Sequence, residues 1–281
     1  MNKVKISCMV IFGVILFALG VSAYNNQEPE VSEPPIKSTQ ARPKSVQKVA
    51  STDTTSHGWG FVRNKLHQRP EITRQQENIL KKYPVIYTLP SAKKEIALTF
   101  DLGYENGFTP KILDTLKAHK VPATFFVTGY WLKKNPELSK RMLAEGHILG
   151  NHTMDHPSLA EVSQTRFTKE LQGVEQLISQ NTGKAPGGKF LRPPMGEYSE
   201  RSLQWAKNLG YTTVFWSVAL KDWQPLPGPQ VVVRSVMSNV HPGAVVLLHG
   251  ISRESTEGLD ELLNELTTEG YKVVPIKEVR L

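Results

Sequence analysis

From Glu95 onward, short apolar runs rich in β-branched and aromatic residues alternate with longer amphipathic segments, and this alternation is the strongest constraint on the fold. It is typical of parallel strands joined by crossover helices. The predicted strands are residues 96–100, 123–127, 148–150, 189–191, 212–218, 244–248 and 272–275, and the predicted helices are residues 110–119, 135–145, 162–179, 200–209, 229–240 and 256–269. The second, fifth and sixth strands are apolar on both faces, which suits a sheet covered on both sides. We therefore predict an α/β fold with a closed or nearly closed barrel, and a doubly wound sheet is the alternative.

The first 57 residues differ in composition and are predicted to lie outside the folded domain. Lys3 and Lys5 precede an apolar run at residues 9–21 that ends in Val21-Ser22-Ala23, the pattern of a signal peptide over residues 1–23. The run is shorter than the ~20 apolar residues of a spanning helix, so cleavage is favoured over an uncleaved anchor. Residues 24–57, rich in Pro, Ser, Thr and Gln, are predicted to be a disordered linker.

Residues 58–92 are predicted to be an extension packed on the main domain, which covers residues 93–281. The extension begins with Trp59-Gly60-Phe61, and residues 72–83 have helical spacing. The single cysteine, Cys8, excludes a disulfide framework within the chain and a cysteine-based zinc cluster. The net charge of +8 either favours contact with anionic wall polymers outside the cell or serves only solubility.

Polar residues follow most of the predicted strands at the point where each strand ends. Asp101 follows the first strand, Arg192 the fourth, Asp222 the fifth and His249 the sixth. Because the carboxyl ends of parallel strands meet at one rim of a barrel, we expect these side chains to converge there. Asp101 is then either a general base or a turn carboxylate. Arg192 either clamps Asp101 or lies on the surface, and backbone N–H groups of its rigid turn at residues 193–196 can face an oxyanion.

His152 and His156, after the third strand, are the candidate metal ligands. Their spacing of four places both imidazoles on one side of a helical turn, as in two-histidine metal sites. Zinc sites usually have three protein ligands and a water, so a nearby carboxylate is expected.

His249 closes an apolar strand, where it is either a core residue or a general acid. Asp222 is the natural partner to keep it protonated, and Trp223 offers either a flat wall for a sugar ring or plain core packing. The chain has no Gly-x-Ser-x-Gly elbow, phosphate loop or dinucleotide fingerprint, so serine esterase, NTPase and dehydrogenase functions have no support.

Five segments of this sequence resemble, in order, the five motifs of the polysaccharide deacetylase family (carbohydrate esterase family 4, the NodB homology domain). They are Thr99-Phe100-Asp101-Leu102-Gly103, His152-Thr153-Met154-Asp155-His156, Arg192-Pro193-Pro194-Met195-Gly196, Asp222-Trp223 and Leu247-Leu248-His249. The likeness covers about residues 93–281. Within the family it is strongest to the peptidoglycan N-acetylmuramic acid deacetylases of spore-forming bacilli that lead to muramic δ-lactam. The segments Trp59-Gly60-Phe61 and Gly103-Tyr104-Glu105-Asn106-Gly107 carry that finer likeness.

The resemblance implies a distorted (β/α)₇ barrel that removes N-acetyl groups by hydrolysis. It implies that Asp101 is the catalytic base, Arg192 the residue that orients it, and His249 the acid, tuned by Asp222. It also implies a zinc-like divalent metal on His152 and His156, and substrate contacts from Trp223, Met195 and Tyr198. Most of the family has a second Asp as the third metal ligand, and here that place is Leu102, which puts metal affinity in doubt.

We therefore expect a secreted or wall-associated, monomeric hydrolase, held at a membrane only if its signal is uncleaved. Its partners would be peptidoglycan glycan strands, in the cell wall or the spore envelope, and not nucleic acid. The expected reaction is deacetylation of N-acetylmuramic acid residues without stem peptides, leading to muramic δ-lactam in spore cortex. The alternatives are an N-acetylglucosamine deacetylase of peptidoglycan or chitin oligomers, and a glycan-binding pseudoenzyme.

Overall fold

The structure is a computed structural model that describes residues 53–63, 66–90 and 93–277. The predicted signal peptide and residues 24–52 of the predicted linker lie outside the described residues. All the described residues belong to one compact unit. Across that part of the chain, every helix is too short or too polar to traverse a lipid bilayer.

The main chain alternates strands and helices much as the sequence pattern predicts. The strands are β1 (His57–Gly58), β2 (Val85–Ile86), β3 (Glu95–Leu102), β4 (Thr124–Val127), β5 (Ile148–Asn151), β6 (Phe190–Leu191), β7 (Glu197–Tyr198), β8 (Thr212–Val214), β9 (Val218–Ala219), β10 (Val245–His249) and β11 (Lys272–Val273). The helices are α1 (Arg74–Leu80), α2 (Thr109–Ala118), α3 (Gly129–Lys134), α4 (Pro136–Ala144), α5 (Gln164–Thr182), α6 (Glu200–Asn208), α7 (Pro229–Met237), α8 (Arg253–Glu257) and α9 (Leu259–Thr268).

Local sequence explains where these helices begin. Thr128, Ser163, Ser199 and Ser252 are N-caps whose hydroxyls accept a backbone hydrogen bond from the first turn of α3, α5, α6 and α8. The helices α2, α4 and α7 instead carry a proline in their first turn, where its missing N–H costs nothing.

One parallel sheet forms the centre of the fold, in the strand order β2-β8-β6-β5-β4-β3-β10-β9, with β11 beside the start of β3. A separate two-stranded antiparallel sheet pairs β1 with β7. Neighbouring strands end level with one another, since His249 is paired with Asp101 and Asn151 with Leu191. The carboxyl ends of the strands therefore form one edge.

Strand β3 shows how the sheet separates its two faces. Ile96, Leu98, Phe100 and Leu102 belong to the large core cluster shared with the helices. Ala97 belongs to a smaller cluster inside the curl of the sheet, with Phe126, Phe190, Val214 and Val245. The side chains of β3 therefore alternate between the helix-facing core and this smaller cluster.

The predicted strand 212–218 is two strands that lie near opposite edges of the sheet. Strand β8 lies between β2 and β6, and β9 lies beyond β10. Only Phe215, Trp216 and Ser217 connect β8 to β9, so the sheet must curl until these edges nearly meet. The result is the distorted (β/α) barrel that the sequence predicts, and the doubly wound alternative is excluded.

Besides the unpredicted strands β1 and β7, the structure departs from the predicted elements at three further places. The predicted helix 256–269 is two helices, α8 and α9, on either side of Gly258. The helix α3 is absent from the prediction. The extension 58–92 contains helix α1, as expected, and also supplies strand β2 to the sheet, through the pairing of Val85 with Thr213.

Candidate active site

A cavity of about 750 Å³ opens at the carboxyl edge of the sheet. Six of the predicted site residues line it: Asp101, His152, His156, Met195, Trp223 and His249. They come from β3, β10 and the loops after β5, β6 and β9, so the convergence expected from parallel strands is present in the structure.

Asp101 is the carboxylate at the floor of the cavity, and Arg192 holds it. The Arg192 guanidinium is fully buried and donates from Nη1 to Asp101 Oδ1 at 2.7 Å. Arg192 also donates to the carbonyl oxygens of Val214 and Phe215. Burial alone would raise the pKa of Asp101, but the charge of Arg192 outweighs burial and lowers that pKa. Asp101 is therefore ionised, with Oδ2 left free of the guanidinium.

The two candidate metal ligands lie on a loop and not on a helical turn, so the geometric reason behind their pairing in the sequence is wrong. Both Thr153 (φ 68°) and His156 (φ 60°) adopt left-handed backbone conformations. These turns still bring the imidazole rings of His152 and His156 to 4.8 Å between centroids, at an interplanar angle of 80°.

Buried polar contacts hold this loop in its strained shape. Asn151 donates from Nδ2 to the Leu171 carbonyl oxygen and accepts a hydrogen bond from the Thr153 N–H. Glu170 on α5 is almost fully buried, and its Oε2 accepts the N–H groups of Met154 and Asp155 at 2.7 and 2.9 Å. The orientation of both imidazoles therefore depends on a carboxylate outside the cavity.

The hydrogen bonds of His152 define which ring nitrogen faces the cavity. Its Nδ1–H donates to the Arg192 carbonyl oxygen at 2.8 Å, because a carbonyl only accepts. Burial lowers the pKa of His152 to about 4, so the ring is neutral and Nε2 presents a lone pair. That nitrogen lies 3.6 Å from Asp101 Oδ2, which is also an acceptor. A cation near these two atoms would relieve their repulsion.

The donor set therefore fits a divalent metal bound by His152 and His156, without a third protein ligand. Within the described ranges, no three His, Cys, Asp or Glu side chains are grouped closely enough to hold a metal ion. Leu102 is fully buried in the core cluster that faces the helices. It packs closely against Gly250, because a Cβ atom on that glycine would lie only 2.0 Å from Leu102 Cδ2. Two imidazoles alone would bind a metal more loosely than a site that also has a carboxylate.

His249 and Asp222 form a second charged pair on the other side of Asp101. His249 Nδ1–H donates to Asp222 Oδ1 at 2.7 Å, and the His249 N–H and the Ser255 hydroxyl donate to Oδ2 at 2.9 and 2.5 Å. Burial opposes the charged form of His249, but the hydrogen bond and charge of Asp222 outweigh it and raise the pKa. With Nδ1 engaged, Nε2 is the nitrogen that can exchange a proton with a bound molecule.

The three residues assigned to substrate binding fall in different places. Trp223 is half exposed and its ring lies 4.8 Å from that of His249. Met195, with φ 58°, is also exposed and lines the cavity. The assignment of Tyr198 is wrong, because Tyr198 is fully buried and packs between Phe215 and His57 at 5.2 and 5.5 Å.

Sequence reasoning missed four residues that shape the site. Tyr104 and Tyr130 line the cavity just past β3 and β4, so the rule that pointed to Asp101 also points to them. Glu170 and Ser255 lie on helices and act through hydrogen bonds to loop N–H groups or to Asp222. No local sequence signal marks either of these two.

The chain is similar in sequence and in structure to known proteins. Residues 88–214 match the family described as "Polysaccharide deacetylase". The chain is 44% identical over 231 residues to the peptidoglycan-N-acetylmuramic acid deacetylase PdaA of Bacillus subtilis, covering 79% of this chain and 88% of PdaA. The solved structure of that PdaA, described as a family 4 carbohydrate esterase, superposes with a TM-score of 0.77 over 79% of this chain and 95% of the other. A peptidoglycan-N-acetylglucosamine deacetylase of Bacillus cereus is 39% identical, covering 70% of this chain and 72% of its own.

Proposed function

Because the chain belongs to the polysaccharide deacetylase family, and is thus a hydrolase of N-acetyl amides, we propose that its substrate is N-acetylmuramic acid in peptidoglycan. The preferred residues would be those that carry no stem peptide. The observation that supports this chemistry is the pair of dyads across one cavity: Asp101 with Arg192, and His249 with Asp222.

We assign the role of general base to Asp101. Arg192 occupies Oδ1, so Oδ2 is the atom that takes a proton from the attacking water. Water adds to the acetamide carbon, and the carbonyl oxygen becomes an oxyanion. In the turn at residues 193–196, Pro193 and Pro194 have no N–H and the Gly196 N–H donates to the Pro193 carbonyl oxygen. The Met195 N–H is therefore the candidate to stabilise that oxyanion.

His249 is the proposed general acid. Its Nε2–H gives a proton to the departing nitrogen as the carbon–nitrogen bond breaks, which leaves acetate and the free amine of the sugar. Asp222 keeps the imidazolium form available by raising the pKa of His249. Trp223 lies beside this group, Met195 lines the same cavity, and both would contact the sugar.

A divalent metal is the proposed cofactor, and His152 and His156 are the residues that would hold it. Deacetylases of this family are metal-dependent in general. When bound, such an ion supplies positive charge that polarises the acetamide carbonyl and lowers the pKa of a water. The position of Leu102 makes a loosely held ion the expectation.

The preference for N-acetylmuramic acid is supported by the greater identity and coverage of the match to the B. subtilis enzyme than to the N-acetylglucosamine enzyme of B. cereus. Deacetylation frees an amine on the ring carbon next to the one that bears the lactyl group. That amine can condense with the lactyl carboxylate, with loss of water, to give muramic δ-lactam. The proposed partners are therefore glycan strands outside the membrane, in the wall or in spore cortex.

Mass spectrometry of peptide-free glycan strands after incubation tests the proposal. The expected products have lost an acetyl group from muramic acid, and δ-lactam formation appears as the further loss of water. Asp101→Asn protein is the control and should release no acetate above background. Products deacetylated at glucosamine would support the alternative enzyme, and wall binding that is equal in wild type and Asp101→Asn, without acetate release, would identify a pseudoenzyme.

A further inference from the structure

The mouth of the cavity concentrates the exposed apolar surface of the protein. Of the six large apolar side chains most exposed in the described ranges, four line this cavity: Tyr104, Tyr130, Met195 and Trp223. Tyr104 is 64% and Tyr130 is 51% exposed. Exposure of this extent at a cavity mouth indicates a surface that binds something, because packing alone buries aromatic rings.

The two tyrosines form a pair that is separate from the proposed catalytic groups. They follow adjacent parallel strands, β3 and β4, and their ring centroids are 5.4 Å apart at an interplanar angle of 58°. Trp223 lies instead beside His249, after β9, and Met195 lies after β6. The tyrosine pair is therefore a distinct part of the rim, which we call the tyrosine platform (Tyr104 and Tyr130).

A single carboxylate fixes the backbone under both tyrosines. Glu105, next to Tyr104, accepts the Gly107 N–H at 2.7 Å and a hydrogen bond from the Thr109 hydroxyl. Trp131, next to Tyr130, is fully buried and its Nε1–H donates to the same carboxylate at 3.4 Å. The platform is thus ordered before anything binds, which lowers the entropic cost of binding.

The chemistry of the rim favours an uncharged, flat-faced ligand. Among the described residues, no Lys or Arg side chain lines the cavity, and the platform itself consists of two uncharged rings. A tyrosine ring offers an apolar face and a polar tip. A pyranose ring has the complementary pattern, with C–H groups on its faces and hydroxyls around its edge.

We infer that the tyrosine platform is a subsite for a sugar next to the one that is deacetylated, stacking on the pyranose of a linear N-acetylhexosamine chain. This inference rests on the proposed function, because it takes the substrate to be a glycan strand. Asp101 lies only three residues before Tyr104, so a chain leaving the catalytic centre along β3 and β4 passes over the platform. The enzyme then selects polymer over single sugars.

The test compares kcat/KM for acetate release from a peptide-free tetrasaccharide and from the methyl glycoside of N-acetylmuramic acid. We expect the wild-type protein to prefer the tetrasaccharide, and Tyr104→Ala/Tyr130→Ala to reduce the ratio of the two values by about tenfold, the equivalent of ~1.4 kcal/mol. Tyr104→Phe/Tyr130→Phe should keep most of the ratio, since stacking needs the ring. Val62→Ala, which truncates an exposed apolar side chain outside the cavity, is the matched control and should keep all of it.

If the ratio of the two kcat/KM values is the same in the double alanine variant as in wild type, the platform is overturned. This holds even if both kcat/KM values fall by the same factor. Failure of the proposed function has a different signature, which is absence of acetate release by wild type on both substrates. In that case tetrasaccharide affinity, measured by calorimetry on wild type and on the double alanine variant, decides the question. About tenfold weaker binding by the variant supports the platform, and equal binding overturns it.

Discussion

Replacement of Asp222 by Asn tests the proposed acid of the reaction most directly. Asp222 Oδ1 lies 2.7 Å from His249 Nδ1, so the charge centres are ~4 Å apart. At the effective dielectric constant of such a site their attraction is about 4 kcal/mol. Asn is close in size and keeps one acceptor oxygen, so the change removes the charge and leaves the packing.

The expected loss follows from the population of imidazolium. If the amide dipole of Asn still stabilises the imidazolium by about 1 kcal/mol, the variant loses ~3 kcal/mol of the attraction. Above the pKa of His249, that loss corresponds to about 10²-fold less protonated His249. The pKa of His249 is raised in the wild-type protein, so its acid form persists at higher pH and is lost as pH rises through that raised value. Asp222→Asn should therefore move the alkaline limb of kcat/KM toward lower pH and reduce the rate at pH 8 by about 10²-fold.

The assay is a pH profile of acetate release for wild type, Asp222→Asn and Ser255→Ala. Ser255→Ala removes one hydrogen bond to Asp222 but keeps the charge of Asp222. It should therefore lower the free energy of unfolding by about 1 kcal/mol and leave the alkaline limb of the profile in place. An Asp222→Asn profile with its alkaline limb unmoved would refute the reasoning, because another group would then set that limb.

The other predictions concern the base, the metal and the odd residue at position 102. Asp101→Asn should abolish acetate release and lower the free energy of unfolding, measured in urea, by about 3 kcal/mol, because the fully buried Arg192 loses its counter-charge; an unchanged urea midpoint would contradict this. Exhaustive chelation should reduce acetate release at least about tenfold, and added Zn²⁺ should restore it in wild type but not in His152→Ala/His156→Ala. Calorimetric titration with Zn²⁺ measures binding separately. Equal Zn²⁺ affinity of wild type and the double variant would refute the assigned ligands. In metal-free protein, Leu102→Asp should lower the free energy of unfolding by about 3 kcal/mol, because it places a carboxyl in an apolar cluster. If the variant in chelator has the same urea midpoint as wild type, the prediction is contradicted, and the end of β3 must relax to expose the carboxyl.

Much of the barrel could be predicted because its signals are local. Strands β3, β4, β5 and β10 are largely apolar, and a polar residue lies at or next to the carboxyl end of each. Once those strands are parallel and adjacent, their carboxyl ends must share a rim. Asp101 and His249 are then paired across β3 and β10 by register alone, without any knowledge of their side-chain contacts.

The errors arise where tertiary packing overrides a local pattern. Residues 212–218 are β-branched or aromatic except for Ser217 and match one strand, but the curl of the sheet breaks them into β8 and β9. His152 and His156 have helical spacing, yet hydrogen bonds from the loop to Glu170 favour left-handed turns. Tyr198 follows the Arg192 turn in sequence, but pairing of β7 with β1 rotates it into the core.

Closure of the barrel and orientation of the base depend on the same few atoms. The crossing from β8 to β9 begins at Val214 and Phe215, and the carbonyl oxygens of these two residues accept hydrogen bonds from Arg192. Arg192 in turn holds Oδ1 of Asp101. A sheet that curled less would carry those carbonyls away from the guanidinium, which would then be buried without its partners. The strand break that the sequence pattern hides is therefore the feature that orients Asp101 Oδ2 toward the cavity.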